Sequence, residues 1–330
     1  MLLKDKYLKT ILQHNQYSIP SENNASFAKR FYIYQKERFP FLGHGLLVCA
    51  FSFSAIAYSR ICRGVQGFVN TRTFLLGIFT TITLFLLLRI FDEFKDAEDD
   101  AAYRKELPVP RGLVSLKELK IVGIVVVILQ IVVNAVFFPK MLFLYFVVIA
   151  YLLLMGKEFF ISNWLKRKPF FYVVSHMFII PLVDIYASGL DWFLNNATAP
   201  IGLLFFFMVS YMNGVVLEIG RKIKAPDAEA VGVLSYSHML GTAKATYLWL
   251  VVLFVTLILS VAAAHYAGYG LMAFYFLASA FLFCATPAFI FLKNKSTKIS
   301  KAIEISSAIW TIAMYLILGG IPMIQKLLSN

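Results

Sequence analysis

The sequence predicts an all-α, polytopic membrane protein with about nine transmembrane helices. Three observations predict it. Of 330 residues, 60% are hydrophobic and 15% charged, whereas a soluble domain carries about 25% charged residues. Mean hydropathy is +0.74. The apolar runs are also long, and a run of about 18 or more mainly apolar residues is what a helix needs to cross a bilayer. The alternation in segments of about ten residues that marks an outer-membrane barrel is absent.

In chain order, residues 1–40 are polar and hold no apolar core ahead of a small-residue cleavage site. They read as a cytoplasmic arm, in part an interfacial helix, rather than a signal peptide. Residues 41–330 read as one membrane domain. Its apolar segments fall at 41–59, 73–91, 119–138, 141–156, 170–188, 200–217, 245–266, 270–292 and 303–324, the fourth being short. Pro40, Pro139, Pro169, Pro200 and Gly268/Gly270 punctuate their ends.

With the N-terminus inside, the inside segments hold 24 Lys and Arg and the outside segments five. That bias puts the N-terminus and the charged loops in the cytoplasm and the C-terminus outside. Arg60, Arg63 and Arg72, in the first outside loop, run against it. The net charge of +13 belongs to the cytoplasmic loops of a membrane protein, so no nucleic-acid partner is expected. Cys49, Cys62 and Cys284 are scattered and suggest neither a disulfide framework nor a zinc site.

Chemistry concentrates in two polar stretches, both at cytoplasmic ends. The first, "DEFKDAEDD" (92–100), puts six acids into nine positions at the end of the second span. On a helix, Asp92, Asp96 and Asp100 share a face, because residues four apart are neighbours. Like charges so placed repel unless a cation sits among them. Mg²⁺ takes oxygen ligands from a few carboxylates, substrate phosphates and water. Arg104, Lys105 and Arg111 follow at once, and basic groups near a metal are what diphosphate handling needs. Read instead as a solvated helix end, the run would pair Lys95 with Asp99 and Arg89 with Glu93, both at i, i+4.

The stretch resembles the first aspartate-rich motif of the UbiA-type intramembrane prenyltransferases, Asn-Asp-x-x-Asp-x-x-x-Asp. Asp92 stands at the Asn position, Glu93 at the next, and Asp96 and Asp100 at the two metal-side aspartates. The following "LPVPRGLVS" matches the family's loop through Pro108, Pro110, Gly112 and Ser115, with Leu107 where the family usually has Arg. The nine spans and the motif order extend the resemblance over nearly the whole chain.

The family's second motif, Asp-x-x-x-Asp after the sixth span, is not reproduced. Gly232, Ser235 and Gly241 keep the spacing of its tail, but the expected aspartates fall on Lys224 and Ala228. Glu218 ends the span, with Lys222 four residues later, and Asp227 and Glu229 lie beside the second position.

The resemblance implies helices around a central cavity and transfer of a polyprenyl group from a polyprenyl diphosphate to a lipophilic acceptor. In that family the acceptor is usually an aromatic ring, and the setting is isoprenoid or quinone biosynthesis. It implies Mg²⁺ on Asp92, Asp96, Asp100 and Glu218, and diphosphate contacts from Arg104, Lys105, Arg111, Arg221 and Lys222. Asn213, Lys224, Asp227, Glu229 and Tyr236 are further candidates, with His238 beside them. His176 and Asp184, polar residues within the fifth span, read as packing or structural residues. Two other classes stay open: a non-catalytic homologue and a transporter with an acidic cytoplasmic mouth. A CDP-alcohol phosphotransferase is disfavoured, because its motif needs an Asp-Gly pair that the chain lacks.

Overall fold

The computed structural model describes residues 25–229 and 234–329, and among them every regular element is helical. Chain order gives α1 (Phe27–Arg38), α2 (Phe41–Cys62), α3 (Thr71–Lys95), α4 (Ala97–Tyr103), α5 (Leu116–Phe137), α6 (Met141–Gly156) and α7 (Ser162–Lys166). Then come α8 (Pro169–Met177), α9 (Ile179–Gly189), α10 (Gly202–Arg221), α11 (Tyr236–Leu240), α12 (Thr242–Tyr266), α13 (Leu271–Lys293), α14 (Thr297–Tyr315) and α15 (Ile321–Leu328).

Among the described residues, eight helical segments are long and apolar enough to cross a membrane, and α6 is a shorter apolar helix. All nine expected segments are therefore helical. Two are interrupted. Helices α8 and α9 form one span, Pro169–Gly189, broken at Phe178. Pro181 lacks the N–H that would bond the carbonyl four residues earlier, which accounts for the break. The last span, Thr297–Leu328, passes through a π-helical turn at Leu316–Gly320. There Gly319 lies against the Ser54 backbone, where any side chain would collide, so α2 and the π turn come into close contact.

Buried polar contacts tie the bundle together, as they do in membranes where apolar burial alone does not hold helices to one another. Gln130 of α5 donates to Thr83 Oγ1 of α3 (2.8 Å) and accepts from Tyr145 of α6 (3.0 Å). Tyr186 of α9 donates to Asn134 of α5 (2.8 Å). Trp249 of α12 donates from Nε1 to the Val216 carbonyl of α10 (3.1 Å) and to Ser307 Oγ of α14 (3.0 Å).

The arginines that run against the charge bias have partners. Arg60 and Arg63 both pair with the fully buried Asp191, at 3.0 and 2.9 Å, and Ser59 donates to the same carboxylate at 2.8 Å. Arg72 lies over the Phe137 ring, 4.3 Å from its centroid. Two of the three arginines thus share one buried carboxylate at the end of the bundle opposite the acidic stretch.

Candidate diphosphate and metal site

At the other end, where α3 and α10 terminate, a cavity of about 560 Å³ opens. Asp92, Asp96, Asp99 and Asp100 line one side, and Glu218, Arg221 and Lys222 line another. Phe85, Leu88, Val173, Met177 and Ile180 continue the wall. Phe85 precedes Asp92 by seven residues, about 10 Å along α3 toward the bilayer interior. One cavity therefore joins a charged mouth to an apolar interior.

The aspartates reach it in spite of a break in the helix. Helix α3 stops at Lys95, and Asp96 joins it to α4. The i→i−4 bonding persists across the joint: Asp96 N donates to the Asp92 carbonyl (2.9 Å) and Asp100 N to the Asp96 carbonyl (2.8 Å). Asp92, Asp96 and Asp100 are thus stacked one per turn.

Their surroundings differ. Asp92 and Asp96 keep side chains 37% and 40% exposed, and Asp100 is nearly buried. Lys95 Nζ lies 3.1 Å from Asp92 and 3.9 Å from Asp96, and it donates to the Tyr172 hydroxyl at 2.7 Å. The expected pairing of Lys95 with Asp99 is therefore replaced by Asp92 and Asp96, which lie on the cavity side with Tyr172. Burial pushes the Asp96 carboxyl up, against the pull of the Lys95 ammonium. Asp100 pairs with Arg104 (3.2 Å) and, more loosely, with Arg38 (3.8 Å). Glu93 points into the protein, 1% exposed, and is held by Arg38 Nε (2.7 Å) and by Arg89 (3.0 Å), the latter at the expected i, i+4 spacing.

Among the described residues no group of three His, Cys, Asp or Glu is arranged to hold a metal ion. Two exposed carboxylates on one cavity still suit a hard cation that completes its shell with water and substrate phosphate, as Mg²⁺ does.

The second stretch is organised around cations. Glu218 is buried at the end of α10, and both of its oxygens are engaged. Lys222 Nζ lies 2.7 Å from Oε1, and Arg221 Nε donates to Oε2 at 2.7 Å. Glu218, expected among the metal ligands, is thus the counter-charge of two cavity-lining bases. The Tyr236 N–H donates to the Lys222 carbonyl (3.0 Å), and Tyr236 lines the cavity. Burial, then the Glu218 charge, push its hydroxyl up.

The remaining candidates fall outside the lining. Lys224 donates its backbone N–H to Ser237, Asp227 accepts from Thr297, and Glu229 accepts from Ser235. Asn213 is fully buried. Lys105 is exposed, and Arg111 bonds Glu37 of α1. The departure from expectation is local. Beyond Lys222 the chain leaves α10, so residues 224–229 do not continue the helical face that carries Glu218. Gly232 lies outside the described residues.

The sequence reading leaves out Arg38 and Tyr172 and gives His176 a packing role, yet all three line the cavity, as does Glu158. Arg38 arrives from the N-terminal arm. Tyr172 and His176 stack at 3.9 Å, and His176 Nδ1 sits 2.8 Å from the Tyr172 carbonyl. That contact agrees with a packing role, but His176 is also part of the cavity wall. Glu158 opens a turn in which Glu158, Phe159 and Phe160 all hold left-handed φ (47°, 55°, 61°), a strained arrangement for side chains of this size. No propensity signal marks it. Gly112, by contrast, takes φ 77° in the loop after α4, where glycine is the residue that fits.

A family model for the UbiA prenyltransferase family matches residues 46–318. No curated protein matches the chain. Among solved structures, one described as a digeranylgeranylglyceryl phosphate synthase in membranes has a similar fold. Its TM-score is 0.56 at 18% identity, over 86% of this chain and 100% of that one. The matched segment contains both polar stretches and all the helices from α3 to α14, so the chain belongs to the UbiA prenyltransferase family and is an intramembrane prenyltransferase.

Proposed function

We propose that the protein transfers a polyprenyl group from a polyprenyl diphosphate to an aromatic acceptor, with Mg²⁺ as cofactor. The observation that carries this is the single cavity whose mouth holds Asp92, Asp96, Arg221 and Lys222 and whose wall continues through Phe85, Leu88, Met177 and Ile180. Such a cavity suits a ligand with a polyanionic head and an apolar tail.

Asp92 and Asp96 are the residues that would hold the metal, with Asp100 behind them on Arg104. Bound there, Mg²⁺ would supply positive charge to the leaving diphosphate. Arg221 and Lys222, fixed by Glu218, donate hydrogen bonds to diphosphate oxygens and oppose the charge that develops as the prenyl C–O bond breaks. The apolar wall keeps water from the electron-poor prenyl carbon until the acceptor attacks. Tyr172 and Tyr236, on the same cavity, offer aromatic surface to an acceptor ring. By the charge bias of the loops, the cavity mouth and the N-terminus face the cytoplasm and the C-terminus faces outward. Residues 41–330 act as one catalytic membrane domain.

The test is transfer by purified protein with Mg²⁺, labelled geranyl, farnesyl and geranylgeranyl diphosphates, and a panel of aromatic acceptors. Product that disappears with EDTA and in Asp96→Ala and Asp100→Ala is the expected result. Diphosphate binding that is absent, or indifferent to EDTA and to both substitutions, overturns the reading.

A further inference from the structure

Helix α1 precedes the segment matched by the family model, which starts at residue 46, yet it is bolted to the segment after the aspartate run and its last residue lines the cavity. Arg30 grips Glu118 with both terminal nitrogens (2.6 and 3.2 Å) and donates to the Leu113 carbonyl (2.8 Å). Glu37 takes Arg111 in a two-pronged pair (2.7 and 2.8 Å). These contacts fix α1 to the loop and helix start that follow the aspartate run. The buried Tyr34 hydroxyl, pushed up by burial and by Glu93, lies 3.5 Å from Glu93.

The last residue of α1 is Arg38, and it lines the cavity. Its Nε donates to the buried Glu93 at 2.7 Å. Its Nη2 stands 3.8 Å from Asp100, beyond hydrogen-bond reach. Among the described residues neither terminal amino group of Arg38 has a hydrogen-bond partner. The guanidinium is therefore oriented through one nitrogen, while the fork that binds phosphate oxygens in pairs stays available. A structural strut would be expected to spend that fork on protein carboxylates, as Arg30 does on Glu118.

We propose that Arg38 binds the diphosphate of the prenyl donor, so that the N-terminal arm completes the active site. The inference rests on the prenyl-diphosphate reading above and adds a ligand-binding cation from outside the shared segment. Glu93 is then a positioning residue, because it aims Arg38 and touches no substrate.

The experiment uses the full chain in detergent with Mg²⁺. Inorganic pyrophosphate probes the head site, and geranylgeraniol, which has no phosphate, probes the tail site. Arg38→Ala is expected to weaken pyrophosphate binding about 10–100-fold, the worth of a charge-assisted hydrogen-bond pair, with geranylgeraniol binding unchanged. Arg38→Lys keeps a charge for Glu93 but loses the fork; a drop of about 3–10-fold is expected, and this variant carries the test if Arg38→Ala fails to fold. Pyrophosphate affinity within twofold of wild type in the folded variants overturns the inference alone. So does an equal loss of geranylgeraniol binding, which marks a merely structural role. A wild-type protein that binds no pyrophosphate overturns the prenyl-diphosphate reading itself.

Discussion

The two halves of the cavity mouth solve one electrostatic problem in opposite ways. At the end of α3, acids crowd together, and Asp92 and Asp96 share one lysine, with Arg89 a looser 3.9 Å from Asp92. At the end of α10, one buried acid, Glu218, serves two bases. The first half is left short of positive charge and suits a metal. The second has positive charge to spare and suits an anion. A diphosphate bound between them would meet a metal on one side and protein cations on the other. The missing second aspartate pair thus reads as a replacement of metal by side-chain charge.

Substitutions can break this contrast. The largest effect is expected from Asp92→Ala or Asp96→Ala, with Mg²⁺-dependent pyrophosphate binding weakened by at least ~100-fold; calorimetric titration with and without EDTA reads it. Lys222→Ala should weaken the same binding by about 10–100-fold, through one lost charge-assisted contact, while its Mg²⁺ dependence stays. Glu218→Gln is expected to cost about 10-fold, because Arg221 and Lys222 lose their anchor. If it abolished the Mg²⁺ dependence instead, Glu218 would be a ligand and the contrast would fail. Lys105→Ala, exposed and off the cavity, should shift affinity by less than about twofold.

What the sequence revealed was mostly local. Span length and hydropathy located the eight long apolar spans among the described residues, because a bilayer imposes that length, and hydropathy alone located the shorter α6. Spacing by four put Asp92, Asp96 and Asp100 together, and it paired Arg89 with Glu93. The pairing of Lys222 with Glu218 has the same spacing. The helix break at Asp96 did no harm, since the i→i−4 bonds run through it. The same rule failed for Lys95, where Tyr172, 77 residues away, helps draw the ammonium toward Asp92 rather than Asp99. Arg38 meets Glu93 across 55 residues, and Asp191 meets Arg60 across 131. Such partners are set by how the helices dock, and no periodicity carries them. In the case of Arg60 and Arg63, what seemed a breach of the charge rule is a pair of arginines closed on one buried aspartate.

The contrast leads us to propose that the site holds one metal, on the first half alone. Its most direct test is the number of Mn²⁺ ions bound per chain, read by electron paramagnetic resonance at saturating pyrophosphate. One ion is predicted, lost in Asp92→Ala and Asp96→Ala and retained in Glu218→Gln. Two ions, one of which disappears in Glu218→Gln, would contradict the account.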